Sequence, residues 1–98
     1  DYVYNIKTGQ RLMEGLAVTA MCAIGQPQQF YDFLSDYEVV KTVTFDDHHQ
    51  YAPIDIVDIS GSIITTEKDA VKLARFDRDN IYALKLKTTV NVEELLSN

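Results

Sequence analysis

The chain has 98 residues, enough for one domain with a modest core but with little room for a deep active-site cavity. Its composition, 46% hydrophobic and 24% charged, excludes a disordered segment. A formal charge of -6 argues against nucleic acid, whose phosphate backbone needs clustered Lys and Arg, and against an anionic membrane surface. No stretch approaches the roughly 20 apolar residues that span a bilayer, so no direct membrane insertion is expected, and no signal-peptide pattern is visible. One cysteine, Cys22, sits in an apolar run and fits a reducing compartment. The first residue is Asp1 rather than Met, and a boundary within a longer protein is the expected reason.

The opening reads as a β-hairpin, with Tyr2 to Ile6 and Arg11 to Met13 on either side of Thr8-Gly9. Residues 1–15 are assigned to it, with an interdomain connection as its expected role, and residues 16–98 to an α/β domain. Leu16 to Ile24 is an almost unbroken apolar run closed by Gly25, the pattern of a strand buried on both faces. A buried helix is the competing reading. The residues after Gly25 favour the strand, since Pro27 suits a first helical position and Phe30, Tyr31, Phe33, Leu34 and Tyr37 recur at helical spacing. Val39 to Phe45 is again β-like and stops at Asp46-Asp47-His48-His49-Gln50. Ile54 to Ile59 has room for one or two helical turns. Ser62 to Thr66 is a third buried strand, and Thr66 then caps a helix with acidic Glu67 and Asp69 in its first turn. Ala70, Val71, Leu73 and Ala74 are its expected inner face. A polar loop, Arg75 to Asn80, leads to an outer strand, Ile81 to Lys87, whose two lysines protect its edge. Val92 to Leu96 is a short tail with a helical turn. The alternation predicts an α/β fold, a small and mainly parallel sheet of about four strands with flanking helices, preceded by the β-hairpin.

Three polar clusters then fall just past strand carboxyl ends: Ile24-Gly25-Gln26-Pro27, Asp46-Asp47-His48-His49 and Thr66-Glu67-Lys68-Asp69. Ligands bind at that edge of an open parallel sheet, because strand ends and helix starts converge there. Each cluster also has a plain structural reading. Gly25 with Pro27 makes a strand-to-helix turn, since Gly permits unusual φ and Pro fixes it. Thr66 to Asp69 makes a capped helix start. The Asp-Asp-His-His group makes a solvated turn, or a proton-exchanging site in which a carboxylate orients an imidazole. Consecutive residues at a strand end point in different directions and seldom reach one ion, so no metal ligand is assigned. Neither G-x-S-x-G nor a Walker A pattern occurs in the 98 residues.

In order along the chain, these motifs resemble those of the tetraacyldisaccharide 4'-kinases. Residues Ala23 to Phe30 are similar to that family's A/G-I-G-x-P-x-x-F segment, and Phe45 to Tyr51 to its F-x-D-H-H-x-Y/F segment. Ile64 to Leu73 resembles its T-E-K-D-A-V-K block. The resemblance covers about residues 16–86. It implies the C-terminal domain of a two-domain kinase at the cytoplasmic face of the bacterial inner membrane. That kinase would move the γ-phosphoryl of ATP, with Mg2+, to the 4'-hydroxyl of a tetraacyldisaccharide 1-phosphate in lipid A biosynthesis. The partners implied are its own N-terminal P-loop domain and the lipid disaccharide, and this chain alone is expected to be inactive. By position, His48 matches the family His that pairs with a catalytic Asp of the P-loop domain, with Asp47 beside it as the orienting carboxylate. Lys68, Glu67 and Asp69 match the cofactor-binding block, Lys68 near phosphate oxygens. Between His49 and Ser62 the family carries a longer helical stretch than fits here, and Gln26 and Gln28 replace its commoner residues.

Two other classes compete. An Asp-His-His phosphoesterase using manganese would suit Asp47-His48-His49, but upstream it would need Asp-rich motifs where only Asp1, Asp32 and Asp36 occur. The third reading is a non-catalytic interaction module that packs on a partner domain.

Overall fold

The computed structural model describes residues 2–86. Strands β1 (Tyr2–Asn5), β2 (Ala17–Cys22), β3 (Glu38–Thr44), β4 (Ser62–Thr66) and β5 (Ile81–Lys85) form one sheet in the order β1-β5-β4-β2-β3. Helix α1 (Pro27–Asp32) joins β2 to β3, and helix α2 (Glu67–Leu73) joins β4 to β5. The last four strands run parallel, as the alternation of elements predicts. Strand β1 is antiparallel to β5, with Tyr2 opposite Lys85 and Asn5 opposite Tyr82.

The sheet has five strands rather than about four because it absorbs the first arm of the opening hairpin. Val3 explains why: it is 2% exposed and packs in the cluster that holds Ile64 and Leu84, a position a free-standing hairpin would leave in water. The return arm is short. Asn5 N–H donates to Gln10 O at 2.8 Å, Leu12 N–H donates to Val3 O at 2.9 Å, and Tyr4 bridges to Arg11. This arrangement corrects the reading of the last strand as an outer one, since β5 lies between β4 and β1. Lys85 accordingly pairs with Glu67 at 3.8 Å instead of guarding an edge. Lys87 and the Val92–Leu96 tail lie outside the described residues.

Strand β2 is buried from Val18 onward, which settles strand against helix for the apolar run. Its residues alternate between two cores. Val18, Ala20, Cys22 and Ile24 pack with Phe30 and Leu34 from the α1 side. Met21 and Ala23 pack with Tyr51, Ile56, Ile59 and Leu73 on the other. A sheet covered on both faces needs such strands. Phe30, fully buried, contributes about 1.5–3 kcal/mol by leaving water.

Several local expectations change. Val71 is 79% exposed, and the inner face of α2 is Asp69, Ala70 and Leu73, at three, four and seven residues from the Thr66 cap. The segment after Pro53 is one 3-10 turn, Pro53–Asp55, whose continuation buries Ile56 and Ile59. The loop after α2 opens with a second, Ala74–Phe76, ended by Asp77 at φ 54°. Left-handed backbone occurs at Gly9, Gly15, Gly61, His48 and Asp77, so the Gly25 turn does without it.

Candidate active site

Because β2, β3 and β4 are parallel, their carboxyl ends open on one edge of the sheet, and the three polar clusters follow them there. Asp69 ties two of these ends together. Its Oδ2 accepts from Ala23 N–H at 3.1 Å and from the Thr66 hydroxyl at 2.7 Å, while Thr66 Oγ1 accepts from Asp69 N–H at 3.0 Å. The end of β2 is thereby latched to the start of α2. Asp69 is fully buried, so the structure places this sequence-predicted site residue beneath the rim rather than on it. The Tyr51 hydroxyl is raised well above the ordinary phenol range, first by burial and then by the Asp69 charge.

Above the latch, Asp47 stands between the Lys68 ammonium and the His48 imidazole. Lys68 Nζ is 3.6 Å from its Oδ1, and His48 Nε2 is 3.7 Å from its Oδ2. The Asp47 and Lys68 side chains keep 28% and 27% of their exposure, so solvent screens the pair and its worth is about 1 kcal/mol or less. The grouping therefore contributes little to stability. Asp47 Oδ1 is shielded from solvent and accepts no hydrogen bond in the structure.

The two histidines diverge. His48 leaves 81% of its side chain in solvent and has φ 69°, a left-handed backbone that costs a residue with a Cβ about 1–2 kcal/mol. His49 turns the other way. Its ring stacks on Phe45 with centroids 4.1 Å apart and meets Tyr51 edge-on, and its Nε2 lies 2.9 Å from Asp55 Oδ2. The same Asp55 oxygen accepts from Ala52 N–H at 2.8 Å. Those two bonds, the Ala52 one first, hold the Asp55 carboxyl below its usual range.

Glu67 faces away from Asp47, toward β1 and β5. It accepts from the Tyr4 hydroxyl at 2.7 Å and pairs with Lys85. Burial first, then Glu67, pushes the Tyr4 hydroxyl up to about 12. Of the five residues carried over from the motifs, the structure brings Asp47, His48 and Lys68 together, puts Glu67 at the neighbouring corner and buries Asp69. Among the described residues, no three His, Cys, Asp or Glu side chains converge to hold a metal ion, and no helix is long and apolar enough to cross a membrane.

The family model described as tetraacyldisaccharide-1-P 4'-kinase matches residues 2–98. The chain belongs to this family. Among its relatives, the tetraacyldisaccharide 4'-kinase of Halothermothrix orenii is 38% identical over 106 residues, covering 87% of this chain and 28% of the relative. The enzyme of that name from Legionella pneumophila strain Corby is 41% identical over 75 residues, 76% of this chain and 23% of the relative. That of Blochmanniella floridana is 32% identical over 99 residues, 94% of this chain and 30% of the relative. The chain thus spans between 23% and 30% of the length of these three relatives. No solved structure matches it. The Halothermothrix match, 106 residues long, outruns a chain of 98, so that relative holds extra residues inside the matched stretch.

In this tetraacyldisaccharide 4'-kinase family member, sequence reasoning missed four residues beside the rim. Tyr4, which holds Glu67, gave no signal, because the two are brought together only by the β1–β5 pairing. Asp55, which holds His49, ends the single 3-10 turn Pro53–Asp55, too short for a period to be read. Lys72 and Arg75 did leave a trace: with Lys68 they recur at helical spacing along α2 and the turn that extends it.

Proposed function

We propose that this chain is the C-terminal part of a kinase that moves the γ-phosphoryl group of ATP to the 4'-hydroxyl of a tetraacyldisaccharide 1-phosphate in lipid A biosynthesis. The supporting observation is the Asp47 carboxylate set between the outward His48 imidazole and Lys68 on the carboxyl rim. In the reaction, the acceptor oxygen forms a bond to the γ-phosphorus, the bond from that phosphorus to the bridging oxygen breaks, and ADP leaves. The hydroxyl proton goes to a carboxylate of the N-terminal P-loop domain. His48 orients that carboxylate from across the cleft, Asp47 holds the imidazole toward it, and Lys68 offers its charge to phosphate oxygens. His48 can reach a facing domain because its ring is mostly in solvent, and closure of the two domains then completes the pair. The described side chains do not by themselves fit Mg2+, so no step is assigned to it on this chain. The enzyme works at the cytoplasmic face of the inner membrane, and this chain alone does not turn over.

The Asp-His-His phosphoesterase reading needs both imidazoles on one metal centre, whereas His48 faces solvent and His49 faces Asp55. Steady-state assay of the complete protein tests the kinase reading. His48→Ala is expected to lower kcat by roughly 100-fold or more, the range for a group that assists proton transfer. Turnover unchanged by that substitution would end the assignment of His48.

A further inference from the structure

In a chain where 15 acidic residues outnumber 9 Lys and Arg, one helix face is basic. Lys68, Lys72 and Arg75 fall at i, i+4 and i+7 along α2 and the 3-10 turn that extends it. Lys68 reaches Asp47. Lys72 and Arg75, one turn and two turns further, line a groove of about 220 Å³ with Gln50, Tyr51 and Val71. The facing wall is therefore the tail of the loop that carries Asp47 and His48.

Two features mark this groove as a place for an anion. Among the described residues, neither Lys72 nor Arg75 forms an ion pair with a carboxylate, although carboxylates are in excess. Like charges three residues apart on a helix repel, so the pair is stabilised by a negative group between them. Arg75 is also held in place. Its guanidinium donates to the Tyr51 carbonyl and lies over the Phe76 ring at 4.7 Å, and its remaining N–H donors are available to a ligand. Whole small-molecule ligands occupy pockets of about 300–1,000 Å³, so this smaller groove suits a single group.

We propose that Lys72 and Arg75, with Gln50, form a subsite for one phosphate group of a substrate, next to the Asp47–His48 loop. The phosphate belongs either to the glycolipid acceptor, as its 1-phosphate, or to the nucleotide. This assignment rests on the kinase reading.

Kinetics of the complete protein with Lys72→Gln, Lys72→Arg and the double variant Lys72→Gln with Arg75→Gln test it. Lys72→Gln removes one charge and leaves the Arg75 tie to Tyr51 intact. The expected result is a KM for one substrate raised about tenfold, with kcat within about twofold and recovery in Lys72→Arg. A rise for the acceptor that vanishes when the acceptor lacks its 1-phosphate assigns the subsite to the glycolipid. A rise for ATP assigns it to the nucleotide. Unchanged KM for both substrates in the single and the double variant would overturn the subsite, as would a fall in kcat alone. Wild-type protein without 4'-kinase activity would instead overturn the functional reading, and that is seen before any variant is made.

Discussion

At the scale of single residues, His48 carries the sharpest tension. It is one of two non-glycine residues with positive φ among the described residues, and its side chain gains almost nothing from packing. Backbone strain at a solvent-exposed side chain is the pattern of a residue kept for what it meets outside the fold. Glycine at this position would relieve about 1–2 kcal/mol of steric cost while adding about 0.5–1 kcal/mol of backbone entropy in the unfolded chain. His48→Gly should therefore leave the stability of the complete protein unchanged or slightly higher in urea unfolding, while turnover is lost. A loss of more than about 1 kcal/mol in that measurement would mean the imidazole is part of the packing after all. Asp69 is the opposite case. It sits in the Thr66–Asp69 cluster and was legible as part of a capped helix start, yet its bond to Ala23 spans 46 positions and no local pattern announces it. Side chains that serve an interior latch and side chains that serve a ligand look alike in a string of letters, because burial alone distinguishes them.

Among elements, the segment after β3 shows how the rim is kept in shape. His49, Phe45 and Tyr51 form an aromatic cluster, and Asp55 binds both the His49 ring and the Ala52 amide, so the loop is held at its base while His48 projects from its tip. Asp55 has its folded-state pKa lowered, so its contribution is fully present above the ordinary carboxylate value and is lost as pH falls through the lower folded value. The Ala52 amide should therefore exchange with solvent faster below about pH 4 than a simple rate correction predicts, and Asp55→Asn should abolish that dependence. Exchange at Ala52 that follows the intrinsic rate through the acid range would show that the clasp does not hold the loop. Strand and helix positions were legible because buried parallel strands, proline at a helix start and a threonine cap all leave short-range signatures. The neighbours of each element were not. β1 and β5 stand at opposite ends of the described chain, and only the burial of Val3 explains why the opening arm joins the sheet.

For the molecule as a whole, β1 is the added strand that closes one side of the sheet. A charge at its buried position would undo this: Val3→Asp places an unpaired carboxylate in the core and should cost about 3 kcal/mol or more. Hydrogen exchange should then report lost protection along β5, newly exposed as an edge, with protection along β2 retained. Uniform loss across all strands would mean that β1 unfolds only with the rest. The register of this strand pair has a geometric outcome. Tyr2 faces Lys85, and Lys85 is the end of a strand parallel to β4, so the described chain enters and leaves side by side at the edge where Asp47 and Lys68 sit. Glu67, bonded to Tyr4 and paired with Lys85, fastens that doorway to α2. A body joined ahead of Tyr2 would thus meet this domain beside the candidate rim, on the side where α2 begins.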